Sequence, residues 1–297
     1  ALIAAAPAAA QTADLALAGE LTQGGWARGQ LPRGVVAISL NEQPVAIAPD
    51  GQFLLAFDRD AAAAARLVVR YQDGRAAVRE LAIAPRAWQI ERVGVGLRPG
   101  TAPSAEWAAR RAGELAQIKA ARSLDHPVQG WRQAFIWPVH GRLSGRFGAQ
   151  RIYNGTPGSY HSGLDIATGT SGTPFVAPAD GVVILAAQSP FSLEGRLLMI
   201  DHGMGLNSAF LHCSELAVRA GDIVRQGQYI GRIGATGRAT GPHLHWSIKW
   251  RDARLDGRPC LPRGGGGRAD RAVARRRSHP LRRARAPAGC GALRRRA

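Results

Sequence analysis

Two short motifs in the second half of the chain combine residue types that bind metal ions. The first is His161-Ser-Gly-Leu-Asp165 and the second is His243-Leu-His245. In an extended segment, side chains two or four residues apart point to the same face, so each motif can aim two polar groups at one spot. Imidazole nitrogen and carboxylate oxygen are ligands that Zn²⁺ accepts in proteins. The two motifs together predict a zinc site, whereas either one alone is weak evidence.

The ligand count of this predicted site favours catalysis over a structural role. A catalytic zinc takes three protein ligands and leaves its fourth position for water, whereas a structural zinc is closed by four ligands and is usually rich in cysteine. Cys213, Cys260 and Cys290 have neither CxxC spacing nor a histidine at zinc-finger distance. A catalytic zinc would activate a bound water and polarise a scissile carbonyl group, while a neutral imidazole accepts the proton of the water.

Three segments containing these residues resemble the signature blocks of the lysostaphin/LytM-type zinc endopeptidases. They are Tyr160-His-Ser-Gly-Leu-Asp-Ile166, Phe210-Leu-His212 and Gly234-Ala-Thr-Gly-Arg-Ala-Thr-Gly-Pro-His-Leu-His-Trp246, within a likeness that covers residues 138–256. The resemblance implies zinc ligation by His161, Asp165 and His245, with His243 and His212 as non-ligand catalytic histidines. It also implies a two-sheet antiparallel β structure with a groove over the metal, and peptide cross-links or stem peptides of peptidoglycan as substrates.

The two non-ligand histidines receive different expected roles. His243 lies one residue from a ligand on the same strand face, so it is expected to act as the general base. His212 is expected to hydrogen-bond the water or the developing oxyanion, which a well-placed donor stabilises by about 3 kcal/mol. The sequence equally allows the two roles to be exchanged.

Other polar residues near the motifs carry weaker signals. Tyr153, Asn154 and Tyr160 precede the first motif and are candidates for lining a substrate groove, although a loop tyrosine that packs on its neighbours is the simpler interpretation. Cys213, directly after His212, is expected to pack as a small apolar residue. The remaining histidines lack a partner at ligand spacing and are expected to be ordinary residues: His126, His140, His202 and His279.

The elements that must position these residues indicate a mainly β protein. Short alternating runs in residues 11–100, with a hairpin signal at Asp73-Gly74, predict a small β-sandwich of immunoglobulin-like type. Strand-like runs separated by glycine turns in residues 134–256 predict the antiparallel metallopeptidase domain. Between them, residues 101–133 are predicted to be a linker whose helix begins near Ser104. Its expected face repeats at helical spacing: Trp107, Arg111, Leu115 and Ile118.

The charge of the chain is concentrated at its end. The 297 residues carry a formal net charge of +18, and thirteen Arg with one Asp in residues 257–297 account for +12, which leaves +6 for the rest. This tail has few apolar residues and no period, so it is predicted to be disordered. The strand-like sequence pattern ends abruptly at Asp256 and is followed mainly by Arg, Ala, Gly and Pro, whose codons are rich in G and C. We therefore interpret the tail as an out-of-frame translation of a GC-rich gene. An arginine-rich arm that binds nucleic acid is the alternative.

The first ten residues resemble the end of an export signal. Ala8 and Ala10 would be the small residues before a cut at Gln11, and a frayed alanine-rich terminus is the alternative. No run of about 18 apolar residues occurs, so no transmembrane segment is predicted. An exported protein of the periplasm or cell envelope is therefore expected.

Three functions follow from the sequence. The leading hypothesis is an active zinc metalloendopeptidase that acts on peptidoglycan. A catalytically silent LytM-like module, which binds or activates a wall hydrolase or a cell-division partner, is the second, and loss of a ligand would be its usual sign. Nucleic-acid binding through the tail is the third, and it predicts steep salt-dependent DNA binding that disappears when the tail is deleted. All five motif positions are present, which favours the enzyme.

Overall fold

Alternating apolar and polar residues in the first part of the chain form two β-sheets that share a core. The computed structural model describes residues 11–12, 15–96 and 104–258. One sheet has the order β1-β8-β7-β4-β5 and the other β2-β3-β6. Leu67 and Val69 from the first sheet and Phe53 and Leu55 from the second are completely buried in one cluster. The strands are β1 (Gln11–Thr12), β2 (Leu17–Gly19), β3 (Trp26–Gln30), β4 (Val35–Leu40), β5 (Gln43–Val45), β6 (Gln52–Ala56), β7 (Ala64–Tyr71), β8 (Ala76–Ala82) and β9 (Ile90–Val93).

The predicted β-sandwich is thus confirmed, and the hairpin at Asp73-Gly74 joins β7 to β8 as expected. Gly74 has a φ of +84°, a conformation that glycine adopts without steric cost. The immunoglobulin-like type and the predicted domain boundaries remain predictions. The export-signal remnant at residues 1–10, the tail from residue 259 onward, and with it Cys260, His279 and Cys290, lie outside the described residues.

The predicted linker helix is present as α1 (Ala105–Arg122). The hydroxyl oxygen of Ser104 accepts a hydrogen bond from the Trp107 amide at 3.1 Å, which caps the helix as expected. The expected helix face is wrong in part, because Leu115 is 49% exposed and Trp107 is 39% exposed. Ile118 is buried as expected, but the other buried residues are Glu114 and Ala121, and the three lie at the i, i+4, i+7 spacing of one helix face.

Glu114 accounts for this shift of the buried face. Its carboxylate accepts hydrogen bonds from the amide and the hydroxyl of Ser192 at 2.7 and 2.8 Å, and it pairs with Arg110 and Arg111. Burial raises the pKa of Glu114, but these hydrogen bonds outweigh the effect and leave the pKa below its usual value. The helix is therefore turned toward a polar partner in a distant loop.

The rotation of α1 can be tested by a matched pair of substitutions. Ile118 packs with Met199 and Ala209 on the C-terminal sheet, so Ile118→Ala should lower the free energy of unfolding by about 3 kcal/mol. Leu115→Ala, one turn away and half exposed, should change it by less than about 0.5 kcal/mol. Urea denaturation of both variants measures the difference. Equal decreases in the free energy of unfolding for the two variants would show that Leu115 is packed as well as Ile118, as the sequence predicted.

The rest of the chain folds into a large antiparallel sheet that begins after a 3₁₀-helix at Gly130–Arg132. Its main path is β10-β13-β20-β17-β16-β15-β18; off this path, β19 pairs with β17 and β14, and β21 pairs with β20. A separate three-stranded sheet has the order β12-β11-β9. The strands are β10 (Arg142–Gly145), β11 (Gln150–Tyr153), β12 (Thr156–Pro157), β13 (Leu164–Ala167), β14 (Pro174–Val176), β15 (Gly181–Ala186), β16 (Arg196–Asp201), β17 (Leu206–Leu216), β18 (Ile223–Val224), β19 (Tyr229–Ile233), β20 (Leu244–Trp250) and β21 (Ala253–Leu255).

The predicted mainly β, antiparallel architecture is confirmed, and the long strand β17 shows how its sheets are connected. The first half of β17 pairs with β16 and β20, whereas its last residues pair with β19. The strands expected to form two sheets are therefore joined through β17 into one hydrogen-bonded network. Cys213 is completely buried at this branch, as expected of a small apolar residue, and burial raises the pKa of its thiol to about 12.

The N-terminal and C-terminal parts of the described chain belong to one compact unit. Strand β9 pairs in parallel with β11, so the two parts share a sheet. Arg86 donates to the buried carboxylate of Asp256 at 2.7 Å, and Arg28 donates to the carbonyl of Trp131 at 2.7 Å. Asp256, where the strand-like sequence pattern ends, is thus bound by a side chain of the N-terminal part of the chain. Within the described residues, no helix combines the length and the apolar character needed to cross a membrane.

Candidate metal centre

Two adjacent strands bring the predicted motifs together. Asp165 on β13 and His245 on β20 are direct partners in the antiparallel ladder. His243 lies immediately before β20, and His161 lies three residues before β13. Alternation along β20 buries Leu244 and Trp246 in the core on the opposite face, as the HxH spacing predicts. The pleat of two paired strands therefore collects polar groups from four separate positions.

Three side-chain atoms converge on one point. The distances are 3.1 Å from His161 Nε2 to Asp165 Oδ1, 3.1 Å from His161 Nε2 to His245 Nδ1, and 2.9 Å from His245 Nδ1 to Asp165 Oδ1. Each residue thus offers one nitrogen or oxygen ligand atom to a common centre. Two imidazole nitrogens and one carboxylate oxygen form a ligand set that suits Zn²⁺ and leaves a coordination position open.

Close packing behind His245 requires a glycine in the first motif. A Cβ atom on Gly163 would lie 2.6 Å from the carbonyl oxygen of Trp246 and 2.7 Å from His245 Nε2. A side chain here would push His245 out of its position, so Gly163 lets the two strands approach each other. Gly163 lies inside the HxxxD motif, but the motif itself does not indicate this packing role.

A backbone contact fixes the orientation of the His161 ring. Its Nδ1 lies 3.1 Å from the carbonyl oxygen of Arg146, which can only accept a hydrogen bond, so Nδ1 carries the proton. In the neutral ring, Nε2 is then unprotonated and faces Asp165 and His245. A second hydrogen bond of this kind is the usual support for a metal-binding histidine.

The charges in the cluster are strongly coupled. Burial raises the pKa of Asp165, but hydrogen bonds with His161 and His245 outweigh it and hold the pKa of the carboxyl group well below its usual value. Burial lowers the pKa of His161, but the hydrogen bond with Asp165 outweighs burial and raises the pKa overall. Burial dominates at His245 and lowers its pKa. The centre is thus an ionised carboxylate between two imidazoles: burial favours the neutral form of His245, whereas a metal ion would compete with the proton that Asp165 favours on His161.

His212 and His243 lie beside the three converging atoms. Their ring centroids are 4.8 Å apart, and His243 Nε2 is 3.6 Å from Asp165 Oδ1. His243 Nδ1 donates to the carbonyl of Gly241 at 2.8 Å, and His212 Nδ1 donates to the carbonyl of Thr236 at 2.9 Å. In both neutral rings Nε2 is therefore an acceptor. Burial lowers the pKa of His212, which favours its neutral form.

The backbone of His212 adopts a conformation that is uncommon outside glycine. Its φ is +65°, in the left-handed region. The residue lies at a β-bulge of β17, since Phe210 pairs with Leu198 and Cys213 with Arg196, so that two residues oppose one. Bulges re-aim side chains and are frequent beside active sites. The bulge turns His212 toward His243 and away from the regular alternation of β17.

Two residues that were not among the predicted site residues hold this bulge. The carbonyl of Glu194 accepts the hydrogen bond of the His212 amide at 2.8 Å. The Thr236 hydroxyl donates to the carbonyl of Cys213 and accepts from the amide of Arg196, both at 2.9 Å. Glu194 is in turn paired with Arg111 of α1. Thr236 lies in the Gly234–Gly241 segment, so the only sequence signal for it was its place in the third block.

The candidate groove residues lie in different places. The hydroxyl of Tyr160 contacts Asp58 at 3.5 Å and Arg254 at 3.2 Å rather than the histidine cluster. Tyr153 ends β11, and Asn154 occupies the turn to β12 with a φ of +44°. For Tyr160 this placement matches the simpler interpretation, a loop tyrosine that packs on its neighbours.

Two of the remaining histidines have structural partners away from the cluster. His202 is completely buried, its Nδ1 donates to the carbonyl of Asp180 at 2.8 Å, and burial lowers its pKa to about 4. His126 Nδ1 lies 2.9 Å from the buried carboxylate of Asp201. His140 is exposed. These positions agree with the expectation of ordinary histidines.

Known proteins match this chain most clearly around the cluster. Residues 159–257 match the model of Peptidase family M23. Peptidoglycan DD-endopeptidase ShyB of Vibrio cholerae is 38% identical over 96 residues, which are 32% of this chain and 22% of that protein. DD-carboxypeptidase/endopeptidase Mpg of Neisseria meningitidis is 36% identical over 124 residues, which are 42% of this chain and 27% of that protein. The chain therefore matches only about a quarter of the length of these curated relatives.

One crystal structure resembles the chain over a longer stretch. It is a peptidase M23 of Pseudomonas aeruginosa, with 29% identity and a TM-score of 0.62, and the match covers 80% of this chain and 93% of that one. The likeness therefore extends well beyond the segment matched by the family model. Together these matches confirm the family resemblance that the three sequence blocks indicated.

Proposed function

We propose that this protein is a zinc-dependent endopeptidase that hydrolyses peptide bonds in peptidoglycan, because residues 159–257 match the model of Peptidase family M23. The observation that carries the proposal is the convergence of His161 Nε2, Asp165 Oδ1 and His245 Nδ1 to within 3.1 Å of one another. Two further histidines with acceptor nitrogens lie against this centre. A silent module has no need to keep all five groups in place.

The side chains fit a zinc ion. Two neutral imidazoles and an ionised carboxylate are a ligand set that catalytic zinc sites use, and the Arg146 carbonyl orients one of the rings. His161, Asp165 and His245 would hold the metal. When bound, zinc supplies Lewis acidity, which polarises the scissile carbonyl group and makes water a stronger acid.

The protein's own residues move the proton. We assign His243 Nε2 to accept the proton of the attacking water, because Nδ1 of the same ring is committed to Gly241. The protonated ring then returns this proton to the leaving amine. His212 Nε2, which is also an acceptor, orients the water; it can donate to the oxyanion only after it has gained a proton.

The substrate and the location are proposed from the relatives. ShyB and the related ShyA of Vibrio cholerae are named peptidoglycan DD-endopeptidases, and Mpg is named a DD-carboxypeptidase/endopeptidase. Peptide bonds of peptidoglycan are therefore the proposed substrate of this chain. Peptidoglycan lies outside the cytoplasmic membrane, so we propose that the protein acts as an exported, cell-envelope enzyme.

Digestion of purified peptidoglycan tests the proposal. Mass analysis of the soluble fragments should show new peptide termini, and a chelator should stop the release until zinc is restored. A parallel digestion with His243→Ala, which should retain zinc, separates metal binding from proton transfer. Cleavage that survives both the chelator and His243→Ala would rule out this mechanism. A metal-loaded protein that releases no fragments would favour the silent module.

A further inference from the structure

The sheet face that carries the metal centre continues along β20 to a lysine. His245, Ser247 and Lys249 alternate with the buried residues Trp246, Ile248 and Trp250, so the three share the outward face. Four residues of a strand span roughly 13 Å. Ser247 and Lys249 are partly exposed, and α1 packs on Ala209, the ladder partner of Ser247, so the surface between the metal ligands and Lys249 runs beside the helix. An extended peptide bound at the centre would follow this line.

Two arginines surround Lys249. Arg254 on β21 is its direct partner in the ladder, and Asn207 on β17 is its partner on the other side. Arg122 approaches from the last turn of α1. Burial lowers the pKa of Lys249, and repulsion from Arg122 and Arg254 lowers it further. Three cations thus share one side of the sheet.

The nearby acidic groups do not balance this charge. Asp252 Oδ1 is 3.7 Å from Lys249 Nζ but is fully exposed, whereas only 17% of the Lys249 side chain is exposed. Glu194 attracts Arg122 but is already bound by Arg111 at 2.6 Å. Exposed ion pairs of this kind contribute little free energy. The repulsion within the cluster is therefore largely uncompensated by the protein.

Two buried polar atoms at this place lack a partner. Among the described residues, Arg122 Nε and Asn207 Oδ1 are shielded from solvent and make no hydrogen bond. Burial also lowers the pKa of the Arg122 guanidinium. Arg122 Nε is an unpaired buried donor, which costs free energy that a ligand with acceptor atoms would recover, whereas Asn207 Oδ1 is an acceptor and would need a donor. Arg254 is different, since its guanidinium is engaged by the Tyr160 hydroxyl at 3.2 Å.

We propose that Arg122 and Lys249 form a carboxylate-binding subsite of the substrate groove, roughly 13 Å from His245 along β20. The inference rests on the proposed function, because it assigns the subsite to a peptide of peptidoglycan bound in extended form. A free carboxylate about four residues from the scissile bond would reach the two cations. Guanidinium and ammonium groups bind a carboxylate through charge-assisted hydrogen bonds. The subsite therefore selects peptides with an acidic group at that position.

Binding of a stem peptide to the full chain in a His243→Ala background tests the subsite without cleavage. One fluorescent peptide keeps its free carboxylates and a second has them converted to amides. Lys249→Gln and Arg122→Gln should each weaken binding of the free-acid peptide about tenfold and leave the amide peptide unchanged. Lys249→Arg should restore binding. Arg219→Gln, an exposed cation in the turn after β17, is the matched control and should have no effect.

The outcomes separate this inference from the proposed function. Equal binding by the variants and the parent, or equal weakening for both peptides, overturns the subsite. Circular dichroism of each variant identifies any loss of folding, and Lys249→Arg keeps the test informative if Arg122→Gln unfolds. If the parent protein binds the free-acid peptide selectively but its metal-loaded form cleaves nothing, the subsite stands and the endopeptidase does not.

Discussion

Replacing Asp165 with asparagine should remove both the bound zinc and the hydrolytic activity. The carboxylate is the only anionic member of the three converging groups, and its Oδ1 lies within 3.1 Å of the ligand nitrogens of both histidines. An asparagine keeps the shape but not the charge that compensates a divalent cation. Loss of a supporting group around zinc already costs 10- to 100-fold, so loss of a direct ligand should cost at least about 100-fold in activity.

Zinc content per chain and the release of peptidoglycan fragments measure the two effects together. Asp222→Asn is the matched control, because Asp222 is an exposed aspartate in the turn before β18. It should keep both zinc and activity. Full zinc occupancy together with full activity in Asp165→Asn would show that the three groups are an ordinary hydrogen-bonded cluster.

The convergence of the two motifs was predictable because it follows from strand geometry. Side chains two residues apart share a face of an extended strand, and this places His243 and His245 together wherever β20 lies. The cross-strand pairing of Asp165 with His245 is a longer-range event. The sequence indicated it through the resemblance, since spacing alone does not say which two strands are neighbours.

Glu194 and Thr236 were not predictable in the same way. Glu194 acts through its main-chain carbonyl, which every residue possesses, and Thr236 acts through a carbonyl and a hydroxyl. Their effect is to hold the bulge and ring orientation of His212. The type of a residue does not indicate that it will hold a bulge, because this role depends on the local path of the backbone.

The helix α1 shows the opposite error, in which a sequence pattern was present but tertiary contacts overrode it. The apolar residues Trp107 and Leu115 suggested a face that is largely exposed. Glu114 turns the helix because its carboxylate is needed by the Ser192 loop. A buried charge with several partners outweighs two apolar side chains at the surface, and one of these partners, Ser192, lies 78 residues away in the sequence.

Alanine at His243 or His212 should abolish most of the activity while leaving the zinc in place. Neither residue is one of the three converging groups, but in both neutral rings Nε2 is an acceptor, and both rings lie beside the centre. Proton transfer by a positioned side chain contributes about 10²- to 10⁴-fold. We therefore expect His243→Ala to lose about 10³-fold in kcat and His212→Ala about 10²-fold, measured beside zinc content. His140→Ala, at an exposed histidine, should match the parent.

The double variant shows whether the two histidines share one task. Their rings are 4.8 Å apart, so both can contact the same water. If His212 only orients the water whose proton His243 accepts, the double variant should be about as slow as His243→Ala alone, because groups that act as a unit are not additive. Independent losses that multiply would instead assign His212 to the oxyanion, as a protonated donor. Loss of zinc in either single variant would contradict the assignment of both as non-ligands.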